Sequence, residues 1–169
     1  MRIHRLWEEL GIGPDFRRQL RLPLQAEAID LVRCEDDMFG RTQQMAPQTA
    51  TAWQEMKRTA AADGIELQLV SAFRSVDYQC TLIRRKLEQG QQIPAILAVN
   101  AAPGYSEHHT GRALDLSTPG SEPLSPSFET TPAFGWLCTH AATWGFTLSY
   151  PRDNPFGITY EPWHWALRD

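Results

Sequence analysis

Hydrophobic spacing is weak in the first quarter of the chain and strong in the rest. Thr49, Trp53, Met56 and Ala60 recur at three- and four-residue intervals, and Asp63-Gly64 supplies a stop, which predicts an amphipathic helix over 47–62. Ile65 to Ser71 alternates apolar and polar residues, the period of a half-buried strand. Ser75 then stands where it can cap a helix carrying Tyr78, Leu82, Ile83 and Leu87 and ending at Gly90. Ala102 to Tyr105 reads as a turn. Ala113 to Ser117 is short and apolar enough for a central strand, with Asp115 facing away from Leu114 and Leu116. Four prolines make 119–132 a long loop. A helix is predicted over 133–144 with Gly145 as its stop, and strands over 146–150 and 163–167 flank a Pro/Asp/Asn/Gly loop at 151–157.

The first 46 residues carry little periodicity. Arg17 to Pro23 reads as a surface connection and Glu35-Asp36-Asp37 as a solvated acidic turn. No repeat or low-complexity tract divides the chain, so one α+β domain is expected. Its core would be 47–169, a small, mainly antiparallel sheet with helices packed on one side, and 1–46 would wrap or extend that core.

Composition narrows the partners. At 169 residues with 42% hydrophobic and 21% charged positions, the chain fits one soluble domain that buries roughly 70% of its unfolded surface. A net charge of −4 and no Lys/Arg stripe argue against nucleic acid. Cys34, Cys80 and Cys138 are far apart and form no CxxC pair, so they are expected to be small buried or partly buried thiols. No stretch approaches the ~20 apolar residues of a membrane span, and the start lacks a secretory apolar core. The expectation is a monomer, cytoplasmic as the chain stands, or periplasmic or envelope-bound if a signal has been removed.

Candidate chemistry sits in two separated segments. Ser106-Glu107-His108-His109-Thr110-Gly111-Arg112-Ala113-Leu114-Asp115 offers an imidazole and, seven positions later, a carboxylate; Glu161-Pro162-Trp163-His164-Trp165 offers a second imidazole. Two nitrogens and one oxygen suit Zn²⁺, and three protein ligands leave a fourth tetrahedral position open, the mark of a catalytic site. Gly111 would let the chain turn from His108 into the strand of Asp115. Taken alone, the first segment reads more readily as an exposed imidazole and a turn carboxylate. Glu161, three residues before His164, strengthens the metal reading, because a carboxylate beside a zinc site can take a proton from water and hand it to a leaving amine. Arg74 lies where the 65–71 strand hands over to the following helix, a common position for a site residue.

The pattern SxHxxGxAxD (Ser106, His108, Gly111, Ala113, Asp115), followed by ExxH (Glu161, His164) and preceded by Ser71-Ala72-Phe73-Arg74-Ser75 with Gln79, resembles the D-alanyl-D-alanine carboxypeptidase family of zinc peptidases. That family includes vancomycin-resistance carboxypeptidases and dipeptidases and shares its fold with the amino-terminal domain of hedgehog proteins. The resemblance covers 71–168. It implies that His108, Asp115 and His164 ligate Zn²⁺, that Glu161 is the catalytic base, that Arg74 stabilises the oxyanion, and that Ser106 and Gln79 hydrogen-bond the peptide. The implied substrate is a peptidoglycan-type peptide ending in a D-residue. Two alternatives are an endopeptidase of phage-lysin type cutting between L-Ala and D-Glu, and a hedgehog-like module that keeps the metal without the chemistry.

Other residues are expected outside the chemistry. His109 reads as a rim or supporting neighbour of the site, His4 and His140 as surface or helix residues, and Arg112 and Arg152 as solvated. Trp163 and Tyr160 either line the pocket or pack as core aromatics, while Trp165 reads as sheet packing.

Overall fold

A computed structural model describes residues 2–168 of the chain. The elements in order are α1 (Arg2–Glu9), α2 (Pro14–Gln19), β1 (Val32–Asp36), β2 (Thr42–Met45), α3 (Pro47–Ala62), β3 (Gln68–Ser71), α4 (Val76–Glu88), α5 (Ile93–Val99), β4 (Ala113–Ser117), α6 (Pro132–His140), β5 (Phe146–Leu148) and β6 (His164–Leu167). β1 and β2 form a separate antiparallel hairpin. The other strands form one antiparallel sheet in the order β3-β4-β6-β5. This is the expected α+β class with a small antiparallel sheet.

The sheet and two helices share the main core. Trp53, Met56 and Ala60, the predicted stripe of α3, are buried against Leu69, Leu114, Leu116 and Trp165 of the sheet and Leu137 of α6. Fully burying each large side chain contributes about 1.5–3 kcal/mol. α4 begins as predicted, with Ser75 Oγ accepting from the Tyr78 N–H at 3.0 Å. It joins α1 and α5 in a second core of Trp7, Leu10, Cys80, Ile83, Ile96 and Leu97. Helices were expected on one side of the sheet only. All five positions of β4 are buried, so the face bearing Asp115 is covered too.

Several boundaries differ from expectation. Residues 65–67 stay outside β3 because the chain is still leaving α3 there, with the Ile65 N–H donating to Ala60 O at 2.8 Å. The 119–132 loop contains a 3-10 turn over Pro126–Thr130 that buries Phe128, and the next helix splits into α6 and a 3-10 turn over Ala141–Trp144. α2 replaces part of the surface connection predicted over 17–23, and Leu22 is buried with Tyr150 and Ile158. α5, short and strongly apolar, was not anticipated. Cys138 is exposed, not buried.

The acidic turn is the largest correction. Glu35 and Asp36 lie in β1, and Glu35 accepts from Trp53 Nε1 at 2.5 Å and Lys57 Nζ at 2.6 Å. Asp37 is buried and accepts from the N–H groups of Phe39 and Arg41, from Arg41 Nε and from Gln43 Nε2, at 2.7–3.0 Å. A buried carboxylate needs such partners, and here it ties the hairpin together. The preceding stretch straps the site region, as Gln25 and Ala28 donate to Gly104 O and His109 O, both at 2.8 Å. Among the described residues, no helix is long and apolar enough to cross a membrane.

Candidate metal centre

Three strands bring the separated motifs together. In the β4–β6 register Asp115 stands opposite His164, and in the β3–β4 register Ser71 stands opposite Asp115, three residues before Arg74. His108 sits on a 3-10 turn over Glu107–Thr110, which ends on Gly111 in the left-handed conformation at φ 67°. That turn requires glycine for space as well as for angle. A Cβ on Gly111 would stand 2.8 Å from the backbone nitrogen of Ala46, which donates to Gly111 O.

The donor atoms of His108, Asp115 and His164 all lie within 4.8 Å of one another and are buried. His108 Nδ1 donates to Ala72 O at 2.6 Å, which leaves Nε2 as the free lone pair, 3.1 Å from Asp115 Oδ2. His164 Nε2 donates to Glu107 Oε2 at 2.9 Å, which turns Nδ1 towards Asp115 Oδ1 at 3.0 Å. Each imidazole is therefore oriented from behind, as metal-ligating histidines usually are. His108 Nε2 is buried with no hydrogen-bond partner although a carboxylate oxygen lies beside it, two acceptors facing one another. A cation between them resolves that conflict. Separations of 3.0–3.1 Å are close to the ~3.3 Å edge of a tetrahedron built on zinc bonds of about 2.0–2.1 Å. The residues present fit Zn²⁺.

Charge at the site points the same way. Burial, reinforced by the Arg74 guanidinium, pushes the His108 imidazole down to about 4, so it stays neutral and able to ligate. Burial alone would lower His164 too, but hydrogen bonds to Asp115 and Glu107 outweigh it and carry it up to about 10, so a metal competes with a proton for Nδ1. Burial alone would raise Asp115, yet the two imidazoles and Arg74 hold it well below the carboxylate range. Glu161 goes the other way. Burial pushes it up to about 7 against the attraction of His164, with the repulsion of Asp115 adding to the rise, and its Oε2 lies 3.9 Å from His164 Nδ1. A carboxylate of that basicity suits a general base near neutrality.

A cavity of about 30 Å3 opens beside these groups, lined by Arg74, Gln79, Ser106, Tyr150 and Glu161 together with the two imidazoles. It has room for a water or two. Arg74 approaches Asp115 Oδ2 at 3.6 Å, and its Nε is buried without a partner. Gln79 donates to Ala101 O at 2.8 Å and leaves Oε1 buried and unused. Seven of the eight expected site residues thus converge. Trp163 does not: it is half-buried and packs against the main core instead of lining the cavity. Tyr160 lies under the Arg152 guanidinium, 4.1 Å from its ring centroid, and Arg152 also pairs with Glu129 at 2.7 Å.

His109 is wholly buried, not at a rim; Nδ1 donates to Arg74 O at 2.6 Å and Nε2 accepts from the Gly104 N–H at 3.1 Å. It therefore locks the backbone that presents Arg74. Glu107 was missed. It accepts from His164 on one oxygen and forms an ion pair with Arg168 on the other at 2.8 Å; burial alone would raise it, but the His164 contact, helped by a Ser149 hydrogen bond and the Arg168 charge, holds it at about 2. Its only sequence signal was adjacency to His108. Tyr150, with its ring 4.8 Å from that of His164, was read only as the end of a strand.

Residues 42–168 match the family model described as VanY, D-alanyl-D-alanine carboxypeptidase. The chain is 35% identical over 161 residues to the Bacillus subtilis (strain 168) protein YodJ, covering 87% of this chain and 56% of that protein. It is 32% identical over 127 residues to VanXYC of Enterococcus gallinarum, a bifunctional D-Ala-D-Ala dipeptidase and carboxypeptidase, covering 71% of this chain and 65% of that one. The chain thus spans just over half to two thirds of the length of these two relatives. Among solved structures, the LdcB LD-carboxypeptidase superposes with a TM-score of 0.75 at 30% identity, covering 86% of this chain and 71% of that chain. VanYB in complex with D-alanine-D-alanine superposes with a TM-score of 0.64 at 26% identity, covering 89% and 82%.

Proposed function

The chain belongs to the VanY family of D-alanyl-D-alanine carboxypeptidases, and from that premise we propose that it is a zinc-dependent peptidase removing the C-terminal D-residue from short peptidoglycan-type peptides. The observation that carries this reading is the meeting, in one buried cavity, of an oriented His/Asp/His triad, a carboxylate held near 7 and a guanidinium with an unused donor. His108 Nε2, Asp115 and His164 Nδ1 would hold the zinc, which would supply a Lewis acid and lower the pKa of the water beside it to about 7. Glu161 takes the proton from the attacking water and returns it to the amine nitrogen of the departing D-residue. Arg74 donates to the oxyanion that forms as the carbonyl carbon becomes tetrahedral, a role its fixed charge and planar fork suit. Gln79 Oε1 and Ser106 Oγ offer hydrogen bonds that orient the peptide against these groups.

The likeness to LdcB supports a second reading, in which the bond cut follows an L-residue instead of a D-residue. Both predict loss of one terminal D-residue, whereas an endopeptidase would release a larger fragment. Mass analysis of defined tetrapeptide and pentapeptide muropeptides after incubation with the zinc-loaded protein separates the three. Glu161→Gln should leave zinc bound and lower turnover by about 10²–10⁴; full activity in that variant removes the mechanism.

A further inference from the structure

The chemistry above makes no use of the groove next to the cavity. It measures about 320 Å3 and runs between the β1–β2 hairpin, which contributes Arg41 and Gln44, and the start of α4, which contributes Ser75 and Tyr78, with Phe73 and Arg74 between them. Arg74 lines both spaces, so the groove adjoins the wall of the cavity. The cavity, at about 30 Å3, is far too small for the several-residue acyl part of a peptide, which must be held elsewhere.

The groove's charge is distinctive. The chain carries −4 overall, yet the described residues lining the groove include two arginines and no Asp or Glu. Arg41 is fixed in place through Asp37 and Val70 O while its side chain stays half exposed. Tyr78 is 40% exposed, leaving its ring open for contact. A fixed but accessible guanidinium over a polar floor favours a carboxylate.

We infer that this groove is the subsite for the acyl side of the substrate, and that it selects peptide segments bearing a free carboxylate. The inference rests on the carboxypeptidase reading for what passes through the groove, but its test stands apart from turnover. Two peptides with the same D-Ala-D-Ala terminus, one with a free carboxylate on the acyl side and one with that group amidated, are compared on the zinc-loaded wild type, Gln44→Glu and Gln44→Lys. The kcat/KM ratio of acidic to amidated peptide should fall about five- to tenfold in Gln44→Glu and rise in Gln44→Lys, mainly through KM and less so at high salt. Loss of fold cannot move the ratio in opposite directions. A ratio unchanged within twofold in both variants overturns the inference. In parallel, the acidic peptide lacking its terminal D-residue is titrated into the wild type and followed by amide NMR shifts. Shifts at 41–44 and 75–78 that vanish with the amidated peptide support the subsite; their absence overturns it. Should the wild type cleave neither peptide, the carboxypeptidase reading fails, and this titration still decides the groove.

Discussion

Replacing Glu107 with alanine should weaken zinc binding without touching a ligand. In the wild type the Glu107 carboxylate accepts from His164 Nε2 at 2.9 Å and pairs with the Arg168 guanidinium at 2.8 Å, inside a site where His164 is 3% exposed. Losing the outer partner of a metal-ligating histidine typically costs about 10–100-fold in metal affinity, which is ~1.4–2.7 kcal/mol. The upper part of that range is expected here. Alanine strands the His164 Nε2–H with no acceptor, a desolvation cost of about 1–3 kcal/mol, and removes the bond that turns Nδ1 inward. Glu107→Gln keeps one acceptor oxygen for His164 but cannot also accept from Arg168 with it, so a loss of about tenfold is expected. Competition for zinc with a chromophoric chelator at fixed pH measures both constants, and metal-free thermal melts report any general damage separately. Zinc affinities within twofold of wild type in both variants would show that the imidazole is positioned by something else.

Other expectations follow from single contacts. Chelating the metal should lower the melting temperature by roughly 8–16 °C, since zinc at a thousand times its Kd contributes about 4.1 kcal/mol and each kcal/mol moves a domain of this size about 2–4 °C; calorimetry with and without chelator checks it. Gly111→Ala combines a left-handed φ of 67° with a Cβ 2.8 Å from Ala46 N, so it should cost at least about 1–3 kcal/mol in urea unfolding and shift the zinc affinity through His108. For Asp37, burial alone would raise the carboxyl, but hydrogen bonds from Arg41 and Phe39 hold it below its ordinary 3.8. A depressed carboxylate stabilises the fold fully above the unfolded pKa, and that contribution is lost as pH falls through the folded value. The wild type's advantage over Asp37→Asn should therefore shrink steadily below pH ~4 in melts taken across pH.

The His108, Asp115 and His164 cluster was legible because metal chemistry restricts residue types, and Asp115 could be oriented by strand periodicity alone. α3 was legible to the residue because Trp53, Met56 and Ala60 make an uninterrupted stripe closed by Asp63-Gly64. What could not be read depends on long-range partners. Asp37 looks like any solvated acid until Gln43 and Arg41 fold back onto it, and Glu107 is one acid among 20 Asp and Glu until β6 delivers His164 to it. The even choice for Trp163 had the same origin, because periodicity places a residue on a strand's face but does not say whether core or cavity lies beyond it.

The sheet supplies a reason why three distant motifs form one site. Asp115 pairs with both neighbouring strands: Ser71 leads into Arg74 on one side, and His164 stands opposite on the other. A one-residue slip of β4 would move Asp115 to the core face and bring Leu114 or Leu116 into the cavity, exchanging buried apolar contacts for a buried unpaired carboxylate. Core packing therefore selects the register that the chemistry requires. Gly111 and His108 stand just upstream of β4, where such a slip would have to be absorbed, and the Ala46 N–H to Gly111 O bond at 3.0 Å fixes that point to the end of β2. The hairpin thus bears on the site twice, by pinning the turn that presents His108 and by walling the groove that shares Arg74 with the cavity.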